Sequence, residues 1–243
     1  MRLDLYLTEK GFFPSRSKAK AAIEGKSVKL DGIIADKPAL EIDGEPTVEI
    51  IRKDRFVSRA GEKLDHALNE FKLSPEGLTV LDIGASTGGF TDCLLQRGAK
   101  KVFALDVGFA QLDARLRSDE RVAVMENCNA RYIGKRDFQE EIDLIVMDVS
   151  FISQTLIYNA CADILSAGKY MITLVKPQFE AGKSNVGKGG IVKDKNGKII
   201  QAILEKIDLS ADLCGFTRIN FTDSPIEGGD GNREYLALFQ RKE

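Results

Sequence analysis

Val80-Leu81-Asp82-Ile83-Gly84-Ala85-Ser86-Thr87-Gly88-Gly89-Phe90-Thr91 decides the fold of this chain. An apolar strand runs into a turn of small residues, and a helix begins just beyond it. A second apolar strand, Val102-Phe103-Ala104-Leu105, follows about one βα unit later and ends on Asp106. Glycines in such a turn let the backbone approach a ligand closely. An acid at the end of the second strand is placed to hold ribose hydroxyls.

Three ligands compete for this turn. A dinucleotide site needs a glycine where Ser86 stands, because a Cβ there crowds a pyrophosphate. A hydrolase elbow fits Gly84-Ala85-Ser86-Thr87-Gly88 but needs a histidine after the serine. The single histidine, His66, lies upstream and reads as a helix-surface residue. S-adenosylmethionine suits the turn better than a dinucleotide: it carries no phosphate, a slightly wider turn suits it, and Asp82 can help with its cationic portion. The cofactor set expected from the turn and its surroundings is Asp82, Gly84, Ser86, Thr87, Gly88, Phe90, Asp106 and Val107.

Working outward, strands are expected near 79–83, 101–106, 122–126, 143–148, 170–175, 217–223 and 235–240. Helices separate most of them, including 153–166 and 196–213. Alternation at this spacing predicts an α/β, doubly wound, mainly parallel seven-stranded sheet whose ligands sit at the carboxyl ends of the strands. Ahead of it, residues 1–52 form a small α+β unit. It has two helices, Arg2–Lys10 and Arg16–Glu24, then a hairpin turning at Asp31-Gly32 and a strand near 47–51. Residues 53–62 are expected as a linker and 63–243 as the larger domain.

The 243 residues carry 35 Lys and Arg against 37 Asp and Glu, a net charge of -2, so the chain as a whole is no polycation. Between Lys10 and Lys29, however, six basic residues face one acid. Four scattered cysteines without a C-x-x-C pair, and one histidine, offer no zinc set and read as reduced residues of a cytoplasmic protein. No metal is expected. No stretch approaches the ~20 apolar residues of a membrane span. The loop Gly182–Gly189 nearly matches a phosphate-binding loop, but Gly189 stands where Ser or Thr is required. With Lys183 and Lys188 it reads as an RNA-contacting flap.

Charges fall where the sheet would present them to a cleft. Asp148 ends one apolar strand, Lys176 ends another, Glu234 precedes the last, and Lys63 lies on the helix before the first. Base amino methylation usually shows an Asn/Asp-Pro-Pro-aromatic run, which Asp148-Val149-Ser150-Phe151 lacks. Carbon-5 methylation of cytosine needs a cleft cysteine, and neither Cys128 nor Cys161 is expected there.

Two resemblances meet these readings. Arg2-Leu3-Asp4-x-x-Leu7 with Ser15-Arg16-x-x-Ala19-x-x-x-Ile23-x-Gly25 and Val28-x-Leu30-x-Gly32 resembles the S4 RNA-binding domain. That implies an RNA-facing surface at Arg2, Arg16, Lys18 and Lys20. Essentially the whole chain resembles the TlyA family of rRNA 2′-O-methyltransferases, also labelled haemolysin A, and more distantly the FtsJ methyltransferases. The motifs are Phe56-Val57-Ser58-Arg59-Ala60-Gly61-x-Lys63-Leu64, the Val80–Thr91 stretch, Asp106-Val107-Gly108, Asp148–Ser153, Lys176–Glu180 and Gly231-Asn232-x-Glu234-Tyr235.

The resemblance implies methyl transfer from S-adenosylmethionine to a ribose 2′-hydroxyl of ribosomal RNA, on a cytidine and within a ribosomal subunit. It implies a catalytic tetrad of Lys63, Asp148, Lys176 and Glu234, with Asn129 at the adenine. A lysine can act as base only when neutral, which burial and a second cation favour. Lys176 is the expected base, Lys63 the neighbouring cation, Asp148 the group that orients Lys176 and complements the sulfonium, and Glu234 the group that positions Lys63 or the ribose. The alternatives are a membrane-active haemolysin and an RNA-binding protein with an inactive transferase domain.

Overall fold

The computed structural model describes residues 1–51, 55–187, 189–194, 196–228 and 231–243. The chain divides into two compact units, Met1–Arg55 and Phe56–Glu243. The first has α1 (Leu3–Glu9) and α2 (Arg16–Glu24), with Ser15 capping α2 through a bond from the Lys18 amide. Strands β1 (Val28–Leu30), β2 (Ile33–Ile34) and β3 (Val48–Ile50) make an antiparallel sheet in the order β2-β1-β3. Leu3, Leu7, Ala19, Ile23 and Val28 are fully buried between helices and sheet.

The second unit begins with α3 (Ala60–Glu70) and continues through β4 (Thr79–Ile83), α4 (Gly89–Gln96), β5 (Lys101–Leu105), α5 (Ala114–Arg117) and β6 (Val122–Met125). Then come β7 (Leu144–Met147), α6 (Tyr158–Ile164), β8 (Tyr170–Val175), α7 (Pro177–Glu180), α8 (Lys198–Leu213), β9 (Phe216–Asp223) and β10 (Tyr235–Arg241). The seven strands order as β6-β5-β4-β7-β8-β10-β9. β4 to β8 pair in parallel, and β10 runs antiparallel between β8 and β9. One core packs α6 and α8 on one face; the other packs α3 and α4 on the opposite face. Burial on both faces is why β7 is an unbroken apolar run and why β8 and β4 are apolar apart from buried threonines and Asp82. Strand order reverses between β4 and β7, which opens a crevice at their carboxyl ends.

Residues 56–62, expected as linker, pack with this larger unit. Phe56 is buried in the α3/α4 core and lies so close to Gly61 that a Cβ there would stand 2.4 Å from its ring. The helix expected over 153–166 is shorter. Gln154–Leu156 form a 3-10 turn, whose Gln154 amide donates to the Glu180 carboxylate at 2.9 Å, and α6 starts at Tyr158.

Asp82, in the middle of the sheet, is fully buried and accepts a 2.6 Å bond from Thr91 Oγ1 on α4, while its Oδ1 has no partner. Burial pushes its carboxyl up to about 7, against the opposing Thr91 bond. The folded protein therefore holds a proton here that the unfolded chain loses above about pH 4, so stability declines as pH rises from about 4 through 7. Asp82→Asn keeps an acceptor for Thr91 and removes the charge. It is expected to raise stability over the parent by about 1–3 kcal/mol at pH 8 and much less at pH 5. Denaturant unfolding at both pH values measures this; an equal difference at both would refute it.

Candidate active site

The turn after β4 is shaped by contact with β7. Gly84 has φ +85°, and a Cβ on it would lie 2.3 Å from the Asp148 carbonyl oxygen. Ser86 takes φ +47°, and Gly88, at φ +97°, is the N-cap of α4. The amides of this turn are largely spoken for. Gly84 and Ala85 donate to the Leu105 carbonyl at 2.8 and 3.0 Å, and Gly88 donates to the Ala85 carbonyl. Ser86 donates to Asp106 Oδ2 at 2.7 Å, and Gly108 to Asp106 Oδ1 at 2.7 Å. A pyrophosphate site needs such amides free and no carboxylate among them, so the turn does not suit a dinucleotide.

A cavity of about 440 Å³ opens at the crevice. Gly84, Ser86, Asp106, Val107, Asn129 and Asp148 line it, together with apolar walls from Ala130 and Ile157. Each Asp106 oxygen has accepted one amide and keeps a lone pair for a sugar hydroxyl. An apolar slot beside Asn129, a carboxylate for hydroxyls and a carboxylate, Asp148, at the other end suit a nucleoside joined to a cationic chain. The residues fit S-adenosylmethionine.

A smaller lobe of about 170 Å³ shares Gly84, Ser86, Asp148 and Ser150 with the first and adds Thr87, Phe90 and Lys176. Two expected cofactor residues line neither lobe. Asp82 is fully buried beneath the turn, too deep to meet a ligand, and Gly88 serves as the N-cap of α4.

Lys176 Nζ lies 2.5 Å from Asp148 Oδ1 and 2.8 Å from Ser150 Oγ. Lys63 Nζ lies 2.5 Å from Glu234 Oε2, and both side chains of that pair are buried. The four expected residues thus form two lysine–carboxylate pairs, and of the two partners expected for Glu234 it is Lys63 that it meets. Glu234 is approached so closely by Gly228 that a Cβ there would stand 2.5 Å from its Oε1.

Sequence reasoning gave Ser150 no role. Its signal is only that it stands two residues beyond Asp148, and it meets Lys176 through strand register. Cys128, expected outside the cleft, forms part of the larger lobe's wall. Burial pushes its thiol pKa up, which disfavours the nucleophilic thiolate.

In the smaller unit, Arg2 and Arg16 are drawn together by one acid. Arg2 Nε and Nη2 donate to Asp4 at 3.1 and 3.0 Å, and Arg16 Nε donates to Asp4 Oδ2 at 2.9 Å. Their hydrogen bonds hold the buried Asp4 carboxyl down to about 2. Lys18 and Lys20 are exposed, and Lys20 lies 3.7 Å from Glu24. The positive excess of the 10–29 window is diluted in the fold, because Glu45 and Glu49 pair with Lys10 and Lys29. Lys183 begins a short 3-10 turn, Lys183–Asn185, in the expected flap, and Lys188 lies outside the described residues.

Among the described residues, no helix is long and apolar enough to cross a membrane. Residues 56–241 match the FtsJ-like methyltransferase family, and residues 1–48 match the S4 domain. The chain is 48% identical to Hemolysin A of Brachyspira hyodysenteriae, over 98% of this chain and 99% of that protein. It is 38% identical to the 16S/23S rRNA (cytidine-2'-O)-methyltransferase TlyA of Mycobacterium tuberculosis, over 97% of this chain and 88% of that one. A solved structure titled as a haemolysin, from Streptococcus thermophilus, superposes with a TM-score of 0.79 at 42% identity, covering 100% of this chain and 89% of that one. With a methyltransferase sheet, a cleft fitted to its cofactor and relatives that align over nearly the whole chain, the protein belongs to the FtsJ-like methyltransferase family, in the group that holds the TlyA and haemolysin A relatives, and carries an S4 domain ahead of its catalytic domain.

Proposed function

We propose that this protein methylates a ribose 2′-hydroxyl of ribosomal RNA, on a cytidine and within an assembled subunit in the cytoplasm, using S-adenosylmethionine. The observation that carries this is Lys176. Its ammonium nitrogen is fixed by Asp148 and Ser150 at the junction of the cofactor cavity and the smaller lobe. A 2′-hydroxyl entering the smaller lobe meets Lys176, which, once it has given up its own proton to solvent, takes the hydroxyl proton on the neutral Nζ. Asp148 orients the lysine and places negative charge beside the cationic end of the cofactor. When bound, the cofactor supplies an electrophilic methyl group on a positively charged sulfur. Glu234 holds Lys63 at the neighbouring edge, where the Lys63 ammonium can face the ribose or a phosphate. Asp106 would hold the cofactor's sugar and Asn129 its adenine. The paired guanidinium groups of Arg2 and Arg16, with Lys18 and Lys20, give the S4 unit donors for RNA phosphates. Lys183 and Lys188 belong to the proposed RNA-contacting flap.

Calorimetry with the purified protein should show S-adenosylmethionine binding, weakened about tenfold or more in Asp106→Ala, since each charge-assisted bond is worth ~1.5–3 kcal/mol. Binding of NADH in its place would defeat the cofactor assignment. Replacing Arg16, Lys18 and Lys20 together should leave that affinity unchanged but weaken RNA binding. It should also flatten the salt dependence by about two to three phosphate contacts. An unaltered salt slope would show that the S4 unit is not the anchor. Lys176→Arg should abolish methyl transfer while cofactor and RNA affinity persist, because a guanidinium stays protonated and cannot accept the ribose proton. An active Lys176→Arg enzyme would take the role of base away from Lys176.

A further inference from the structure

We infer that Glu180 is a positioning residue for methyl transfer: it clamps the loop after β7 to the turn after β8 and thereby sets Asp148 and Ser150 against Lys176. This rests on the function proposed above. The Glu180 carboxylate is buried, with its side chain 2% exposed. It accepts bonds from Ser153 Oγ at 2.6 Å and from the Gln154 amide at 2.9 Å, and Lys206 Nζ of α8 lies 3.2 Å away. The Gln154 side chain in turn accepts from Tyr158 OH at 3.0 Å, which anchors the far end of the loop in the core. Glu180 lines neither lobe of the cleft, so it acts through what it holds.

What it holds is a short span under backbone strain. Phe151 takes φ +64° and is 92% exposed. A bulky residue in the left-handed region is strained and persists only where its surroundings impose it. Two contacts from one segment impose it here. The Phe151 ring rests on Phe179 at 5.2 Å between centroids, and the next residue, Glu180, captures Ser153 and Gln154. Lys176 opens that same segment as the N-cap of α7. One side of the clamp therefore carries the proton acceptor, and the other carries Asp148 and Ser150. Without the carboxylate the loop can relax toward negative φ, and Ser150 Oγ loses its place 2.8 Å from Lys176 Nζ.

Steady-state methylation of an rRNA substrate, with calorimetric cofactor binding, tests this in the full-length protein. Glu180→Ala should lower kcat by about 10- to 100-fold, as expected for a small misplacement of reacting groups, with KM and cofactor affinity changed less than about threefold. Glu180→Gln should recover most of kcat, because its amide can accept from Gln154 N–H and donate to Ser153 Oγ. Lys206→Ala, which removes only the exposed partner, should leave kcat near the parent value. Should Glu180→Ala fail to fold, Ser153→Ala, which deletes one donor, should lower kcat by several-fold and lose little further when combined with Glu180→Gln. The inference is overturned if Glu180→Ala and Ser153→Ala keep the parental kcat, or if kcat and cofactor affinity fall together with no recovery in Glu180→Gln. An active Lys176→Arg enzyme would instead remove the function on which the inference rests, so the two failures are distinct.

Discussion

Strand register at β8 is the constraint on which the rest of the site depends. Thr173 lies opposite Met147 in the parallel pairing with β7, which puts Lys176 level with Ser150. Val175 lies opposite Tyr235 in the antiparallel pairing with β10, which puts Lys176 level with Glu234. Side chains alternate along a strand, so Lys176 shares a face with Ile172 and Leu174, Asp148 with Val146, and Glu234 with Leu236. All of those apolar neighbours belong to the core under α3 and α4. Lys63 reaches the same face from α3, whose Leu64 and Leu68 are buried in that core. A slip of one residue in either pairing would turn its charged residue into the α6/α8 core, where no partner waits. The buried, largely apolar runs of β7 and β8 thus fix the chemistry as well as the fold.

The same face explains the ligand. Asp82, Asp106 and Asp148 stand at or beneath the carboxyl ends of neighbouring strands, and the turn between them has given most of its amides to Leu105, Ala85 and Asp106. A phosphate would meet carboxylates with few donors to offset them. A cationic ligand with sugar hydroxyls meets acceptors at both ends. Selection in this cleft comes from how the turn's hydrogen bonds are already spent, which the glycine pattern alone does not reveal.

Much of this was legible in the chain. The seven strands follow from apolar runs, and charges that end such runs marked the cleft, because a parallel sheet presents strand ends to one edge. What escaped depends on contacts between distant segments. Asp4 gathers Arg2 from the start of α1 and Arg16 from α2, and no periodicity announces that pairing. Glu45 and Glu49 neutralise lysines far upstream, so a window of charge overstated the positive surface. Cys128 enters the cavity wall because the chain turns back after β6. Phe56 joins the second core although charged residues precede it, since its partner is Gly61 within the same motif. Glu180 closes the Lys176–Glu180 motif with no role that the sequence suggests, because its partners Ser153 and Gln154 lie on a distant loop.

Charge balance on the α3/α4 face bears on the proposed roles. Burying an ion pair is expensive, and leaving one partner alone is more so. The face carries Lys63 with Glu234 and Lys176 with Asp148, each at 2.5 Å, while burial favours the protonated, neutral form of Asp82. Two matched pairs leave the face close to neutral. If Lys176 is to accept a proton it must first be uncharged, and Asp148 then stands uncompensated in a low-dielectric site. A positively charged cofactor beside Asp148 restores the balance. On that reading Asp148 couples the charge of the bound methyl donor to that of Lys176 through electrostatics alone, with no movement of the fold required.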